Sequence, residues 1–179
     1  MSSFDLIRIG IFILISAGIL RFSREALFDP GSYRFYRCLA FEFILAMVLV
    51  NIPAWFREPY SGTQLVSWGL LAASAGLALH GFGLLRSMGK PADSIEDTTR
   101  LVESGAYRYI RHPLYASLLY FTWGVFFKAP SLLNAGLAGA ASLSLYLTAW
   151  REERENLERF GEVYRAMMGR TKRFIPFVF

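Results

Sequence analysis

The chain has 179 residues, 54% of them hydrophobic and 18% charged, with one cysteine and a formal net charge of +5. That apolar balance excludes a disordered tail, a single cysteine excludes an internal disulfide framework or a cysteine-based metal site, and no ligand cluster with metal spacing is visible. The basic residues avoid the apolar runs and build no soluble basic face, so no nucleic-acid partner is expected.

Residues 4–20 form the first long apolar segment. Asp5 and Arg8 lie at its start, and Arg21, Phe22, Ser23 and Arg24 stand where a signal peptide would place small cleavage-site residues. It is therefore expected to stay in the protein. Residues 39–56 and 65–85 follow as the second and third segments, 114–127 as a shorter fourth, and 132–150 as the fifth. A span needs about 20 apolar residues to cross roughly 30 Å of hydrocarbon, a length that all but the fourth approach. Lys128, Pro130 and Asn134 mark a turn between the last two, which the small residues Ala135, Gly136, Gly139 and Ala140 help to close as a hairpin. The predicted fold is all-α: a polytopic membrane protein with about five transmembrane helices and a cytoplasmic helical extension at its C-terminal end.

Sixteen of the nineteen basic residues fall between helices one and two, between three and four, or after five. Because cytoplasmic loops retain lysine and arginine, the N-terminus is expected outside and the C-terminus in the cytoplasm. Glu42, Asn51 and His80 interrupt apolar helices and are expected to face the bundle interior. His80, flanked by Gly76, Gly81 and Gly83, reads as an interhelical hydrogen-bonding residue. Glu42, if buried and unpaired, is a possible proton acceptor for an amine.

Two cytoplasmic segments carry more pattern than a connector requires. Residues 86–111 hold Gly89, Pro91, Asp93 and Gly105, the composition of a loop, and lead into Arg111-His112-Pro113-Leu114-Tyr115. Pro113 suits the first position of a helix, which puts His112 near the N-cap. A helix start with Arg111 beside it favours an anion. The alternative is that Arg111 and His112 reach lipid headgroups while Tyr107, Tyr109 and Tyr115 form an interfacial aromatic belt. The second segment continues the last helix past Trp150 through strong helix formers, with no breaker before Gly161. Its apolar stripe runs Tyr146, Trp150, Leu157, Phe160, Tyr164 and is interrupted by Glu153, with Glu152 about 100° around the helix. An unpaired carboxylate on a packing face is costly, and a cationic ligand would remove that cost. Together the two segments suit a zwitterionic molecule with an aromatic ring, provided that they meet.

The pattern Leu101-Val102-x-x-Gly105-x-Tyr107-x-x-x-Arg111-His112-Pro113-x-Tyr115, then Glu152-Glu153-x-x-x-Leu157-x-x-Phe160-Gly161-x-x-Tyr164 and a terminal Phe174-Ile175-Pro176, resembles the isoprenylcysteine carboxyl methyltransferase family and the related phospholipid N-methyltransferases. The likeness covers about residues 65–179, leaving 1–64 outside it within what reads as one domain over 1–179. It implies an integral membrane enzyme that binds S-adenosylmethionine in a cytoplasmic pocket and takes a lipidic or prenylated acceptor from the bilayer. By the resemblance, Thr99, Arg100, Leu101 and Val102, Tyr107, the stretch His112, Pro113, Leu114 and Tyr115, and Glu152 hold the cofactor. The residue pattern itself adds Arg111 and Glu153. The family register puts Glu152 first, whereas the packing stripe puts Glu153 first. Arg151, His112 and Arg173 are candidates for orienting a carboxylate acceptor. Prenylcysteine enzymes place an arginine where this chain has Thr148, and a tryptophan-containing stretch where Gly89 is followed by Lys90-Pro91-Ala92. Methyl transfer to a phospholipid or small amine is one alternative. A nicotinamide-dependent sterol-type reductase and a non-enzymatic scaffold are two others.

Overall fold

The computed structural model describes residues 3–89 and 100–178. It is helical throughout, with no strand among the described residues: α1 is Ser3–Phe22, α2 Arg24–Leu27, α3 Tyr33–Asn51, α4 Gly62–Leu84, α5 Pro113–Phe126 and α6 Leu132–Arg170. Four helical stretches, Ser3–Phe22, Tyr33–Ala54, Gly62–Gly89 and Leu132–Arg170, are long and apolar enough to cross a membrane. They identify a multi-pass membrane protein. The fifth expected span, α5, has 14 residues and is only about 21 Å long at 1.5 Å per residue, short of the hydrocarbon thickness.

The chain divides into two compact units. The first comprises Met1–Gly69 with Thr122–Arg151. Here α1 buries none of its side chains and exposes Leu14 at 76% and Ile13 at 61%, as expected of a helix whose surroundings are as apolar as itself. The helices of this unit are joined by packing, with Met47, Val125 and Leu145 fully buried, and by a small set of polar contacts. Ser16 Oγ donates to Glu42 Oε2 at 2.8 Å, so Glu42 is partnered by α1. Asn51 and Asn134 exchange side-chain amide hydrogen bonds of 3.0 Å each, joining the end of α3 to the start of α6. Lys128, 4% exposed, donates to Gln64 Oε1 at 2.9 Å and lies 3.4 Å from the centre of the Trp68 ring. The Gln64 amide in turn donates to the carbonyls of Ala54 and Lys128. Most of these buried polar groups thus find a partner, while among the described residues Glu42 Oε1 and the Trp55 indole nitrogen accept or donate no hydrogen bond. The predicted turn forms as expected: Asn134 N–H is capped by Ser131 Oγ at 3.2 Å, and its side chain bonds Ala129 O at 2.7 Å.

The second unit comprises Leu70–Phe121 with Glu152–Phe179. α4 loosens into a π-helical turn, Leu85–Gly89, and a short 3₁₀ turn, Gly105–Arg108, precedes α5. Gly105 has φ +56°, and a Cβ there would sit 2.4 Å from His80 Nε2 and 2.7 Å from Leu84 Cδ1, so both conformation and space require glycine. His80 accepts a hydrogen bond from Ala106 N–H at 3.3 Å; the polar residue inside α4 ties the helix to the 3₁₀ turn. Leu85, Val102 and Tyr107 form a buried cluster against Leu84 and Leu114. α6 loses helical geometry at Gly161, with φ 55° and ψ −130°, then resumes to Arg170. The breaker expected there divides α6 into two helical stretches across a kink.

Candidate active site

Pro113 is the first residue of α5, and the His112 carbonyl accepts from Ala116 N–H at 2.9 Å, which makes His112 the N-cap residue as the sequence predicts. The strand-like stretch before it is held by the chain end. Lys172 N–H donates to Tyr109 O at 3.0 Å, Arg111 N–H to Lys172 O at 2.8 Å and His112 N–H to Arg173 O at 3.2 Å, around a parallel bridge between Ile110 and Lys172. These bonds consume the backbone donors just before α5. The first N–H groups of the helix itself, at Leu114 and Tyr115, have no intrahelical acceptor by geometry.

The two patterned segments come together. Leu101, Val102, Tyr107, Arg111, His112, Leu114, Tyr115 and Glu152 line a cavity with Leu85, Asn156, Tyr164 and Met167; it contains about 610 Å³ of space between atoms, part of it open to solvent. All of its lining belongs to the second unit. Tyr115 Oη donates to Glu152 Oε2 at 2.6 Å, which orients the carboxylate at the cavity wall. The Glu152 side chain retains 18% exposure, against 4% for Glu153.

Glu153 points elsewhere. Arg111 Nε donates to its Oε1 at 2.8 Å, and Arg173 binds it through Nε at 3.1 Å and Nη2 at 2.5 Å. The costly carboxylate on the packing face is thus neutralised inside the protein. The expectation that a ligand must neutralise it assumed no internal cation, and both of these come from distant sequence. Arg111 also donates through Nη1 to the Thr171 carbonyl at 2.6 Å, close to the C-terminal end of α6. His112 stacks on Tyr115, ring centres 5.5 Å apart and 23° between planes, with Phe174 on another side at 6.2 Å. Its Nε2 lies 3.3 Å from Glu153 Oε1, off the line of a hydrogen bond, and its Nδ1 lies 3.9 Å from Glu152 Oε1.

The remaining expected residues fall outside the cavity lining. Pro113 is fully buried as the helix start, Arg100 is exposed, and Thr99 lies outside the described residues. Arg173 is committed to Glu153. Arg151 belongs to the first unit, its guanidinium 5.1 Å from the Trp150 ring centre. Leu85, Asn156 and Met167 were not singled out from sequence. Asn156 stands one helical turn from Glu152 and Glu153, a spacing that would have found it; Met167 follows the bend at Gly161, and helix phase does not carry across a bend.

Two guanidiniums against the Glu153 carboxylate leave one net positive charge beside the α5 start, and Glu152 supplies a negative charge at the cavity wall. A zwitterion with an apolar or aromatic body fits this charge pattern. The sequence profile of a family described as phospholipid methyltransferase matches residues 63–163, which include the cavity segments from Leu85 to Asn156. No individual curated protein matches the chain.

Proposed function

Because this chain belongs to the phospholipid methyltransferase family and is thereby a membrane methyltransferase acting on lipid-type substrates, we propose that the cavity is the site of S-adenosylmethionine and that the acceptor is a lipid-linked group. Membership in a methyltransferase family favours methyl transfer over nicotinamide-dependent reduction or a scaffold role. The observation that carries the reading is Glu152, fixed by Tyr115 at a wall that also contains Tyr107, His112 and the α5 start. S-adenosylmethionine supplies a methyl group already activated by its sulfonium, so the protein has only to bind, align and exclude water.

Each end of such a zwitterion has a counterpart. Glu152 accepts from a cationic or hydroxyl group, the Leu114 and Tyr115 N–H groups with Arg111 nearby receive a carboxylate, and Leu85, Leu101, Val102, Tyr107 and Met167 cover an aromatic base. The whole chain acts as one membrane methyltransferase domain in this reading, with residues 1–64 serving as membrane anchorage. Its cavity opens to the cytoplasm by the distribution of basic residues.

The isoprenylcysteine type of acceptor needs a cation to orient its carboxylate. Arg111 and Arg173 are both engaged by Glu153, and Thr148 turns its hydroxyl back to Ser144 O at 2.8 Å. These commitments favour an amine headgroup as a second reading. An amine must lose a proton, and His112 at the cavity wall is the group suited to receive it.

Calorimetric titration of the detergent-purified chain with S-adenosylhomocysteine should show binding that is lost in folded Glu152→Ala and Tyr107→Ala variants, with none for NADPH. Transfer of labelled methyl into phosphatidylethanolamine vesicles, but not into a prenylated cysteine, would select the amine reading. Binding of NADPH alone would overturn the proposal.

A further inference from the structure

We propose that Arg173 is a positioning residue: through Glu153 it fixes the His112 imidazole at the cavity wall, so that the chain end beyond the family-matching segment takes part in building the site. The matching segment stops at residue 163, whereas two of the contacts of His112, those with Arg173 and Phe174, come from beyond it. Its backbone N–H is taken by the Arg173 carbonyl and its ring stands between Tyr115 and Phe174, the latter 2% exposed. The ring edge faces the Glu153 carboxylate at 3.3 Å.

Charge neutralisation does not account for Arg173. Arg111 alone gives Glu153 a counterion at 2.8 Å, and a one-to-one buried pair already balances. Beyond the surplus positive charge, what Arg173 adds is geometry. Its Nε and Nη2 contact both carboxylate oxygens, and a guanidinium fork of this kind prevents rotation of the carboxylate in a way that a single contact cannot. A carboxylate locked in this manner keeps Oε1 at 3.3 Å from His112 Nε2, a close charge contact rather than a hydrogen bond. The same residue's carbonyl closes the backbone bond, so the side-chain and main-chain restraints act at one point in sequence. Only the donor-binding readout below rests on the function proposed above.

The chain has two histidines, His80 and His112, so imidazole-labelled protein in detergent yields two sets of ring resonances, assigned with His80→Gln. In Arg173→Met the His112 signals should shift and broaden while those of His80 stay in place, and S-adenosylhomocysteine affinity should fall about tenfold, the size of one charged hydrogen bond. Arg173→Lys should lie between wild type and Met on both measures. Arg170→Met, which among the described residues breaks the exposed pair with Glu103, should match wild type. Unchanged His112 signals in Arg173→Met, equal displacement of His80, or a lysine variant no better than methionine would each overturn the proposal. If the methionine variant does not fold, the lysine variant decides: it must displace His112 without His80. A wild-type chain that binds no S-adenosylhomocysteine would defeat the donor assignment, and the resonance comparison would still judge Arg173.

Discussion

Replacing Glu153 by Gln leaves Arg111 and Arg173 facing a neutral amide at a position only 4% exposed. Uncompensated buried charge costs about 3–5 kcal/mol when one partner of a pair is removed, so the Glu153→Gln variant should show a large drop in denaturant midpoint. Glu152→Gln removes no such pairing. It weakens the Tyr115 contact and changes the charge at the cavity wall, and should lower S-adenosylhomocysteine affinity at least tenfold, about 1.4 kcal/mol, with the denaturant midpoint nearly unchanged. The two substitutions, one residue apart, therefore separate stability from binding, and equal effects on both measurements would contradict the assignment. The pair also shows what a sequence can say at this scale. A stripe at helical spacing located the buried carboxylate correctly, yet nothing along the helix said that Arg111 and Arg173, 42 and 20 residues away, would be its partners.

Between elements, the joints are glycines and capped polar residues. Gly105→Ala forces a side chain into a left-handed conformation, which costs about 1–2 kcal/mol, and drives it against His80 and Leu84. Combining it with His80→Ala should recover part of the loss by relieving that contact, and a double-mutant cycle measures the recovered part. At Gly161 nothing lies within 4 Å of an added Cβ, so Gly161→Ala should pay for conformation alone and gain nothing from the same partner mutation. Lys128 provides a pH-dependent joint. Burial pushes its ammonium below the ordinary 10.5; the unfolded chain then binds more protons than the folded one as pH approaches 10.5. Stability supplied through Lys128 therefore rises with pH across that window and is lower beneath it. Thermal melts taken as the pH is raised towards 10.5 should show this slope in wild type and a flatter one in Lys128→Met.

For the whole molecule, the distribution of arginine and lysine predicts one orientation. With Cys38 replaced by Ala, a membrane-impermeant maleimide should label Ser61→Cys on intact cells and Val178→Cys only after permeabilisation; the reverse pattern would place the cavity on the opposite side. Sequence by itself determined the helical class, the long apolar segments, the start of α5 at Pro113 and the family, because these follow from local composition, period and motif spacing, all written along one stretch of chain. It also marked the bend at Gly161 and both halves of the cavity lining. Tertiary structure decided what those halves do: that residues 101–115 and 152–167 line one cavity, that Glu152 faces it while Glu153 turns to Arg111 and Arg173, and that the chain end holds His112. Those outcomes depend on which distant groups approach within a few ångströms, and a buried charge selects its counterion by proximity in space, a quantity that spacing along the chain does not encode.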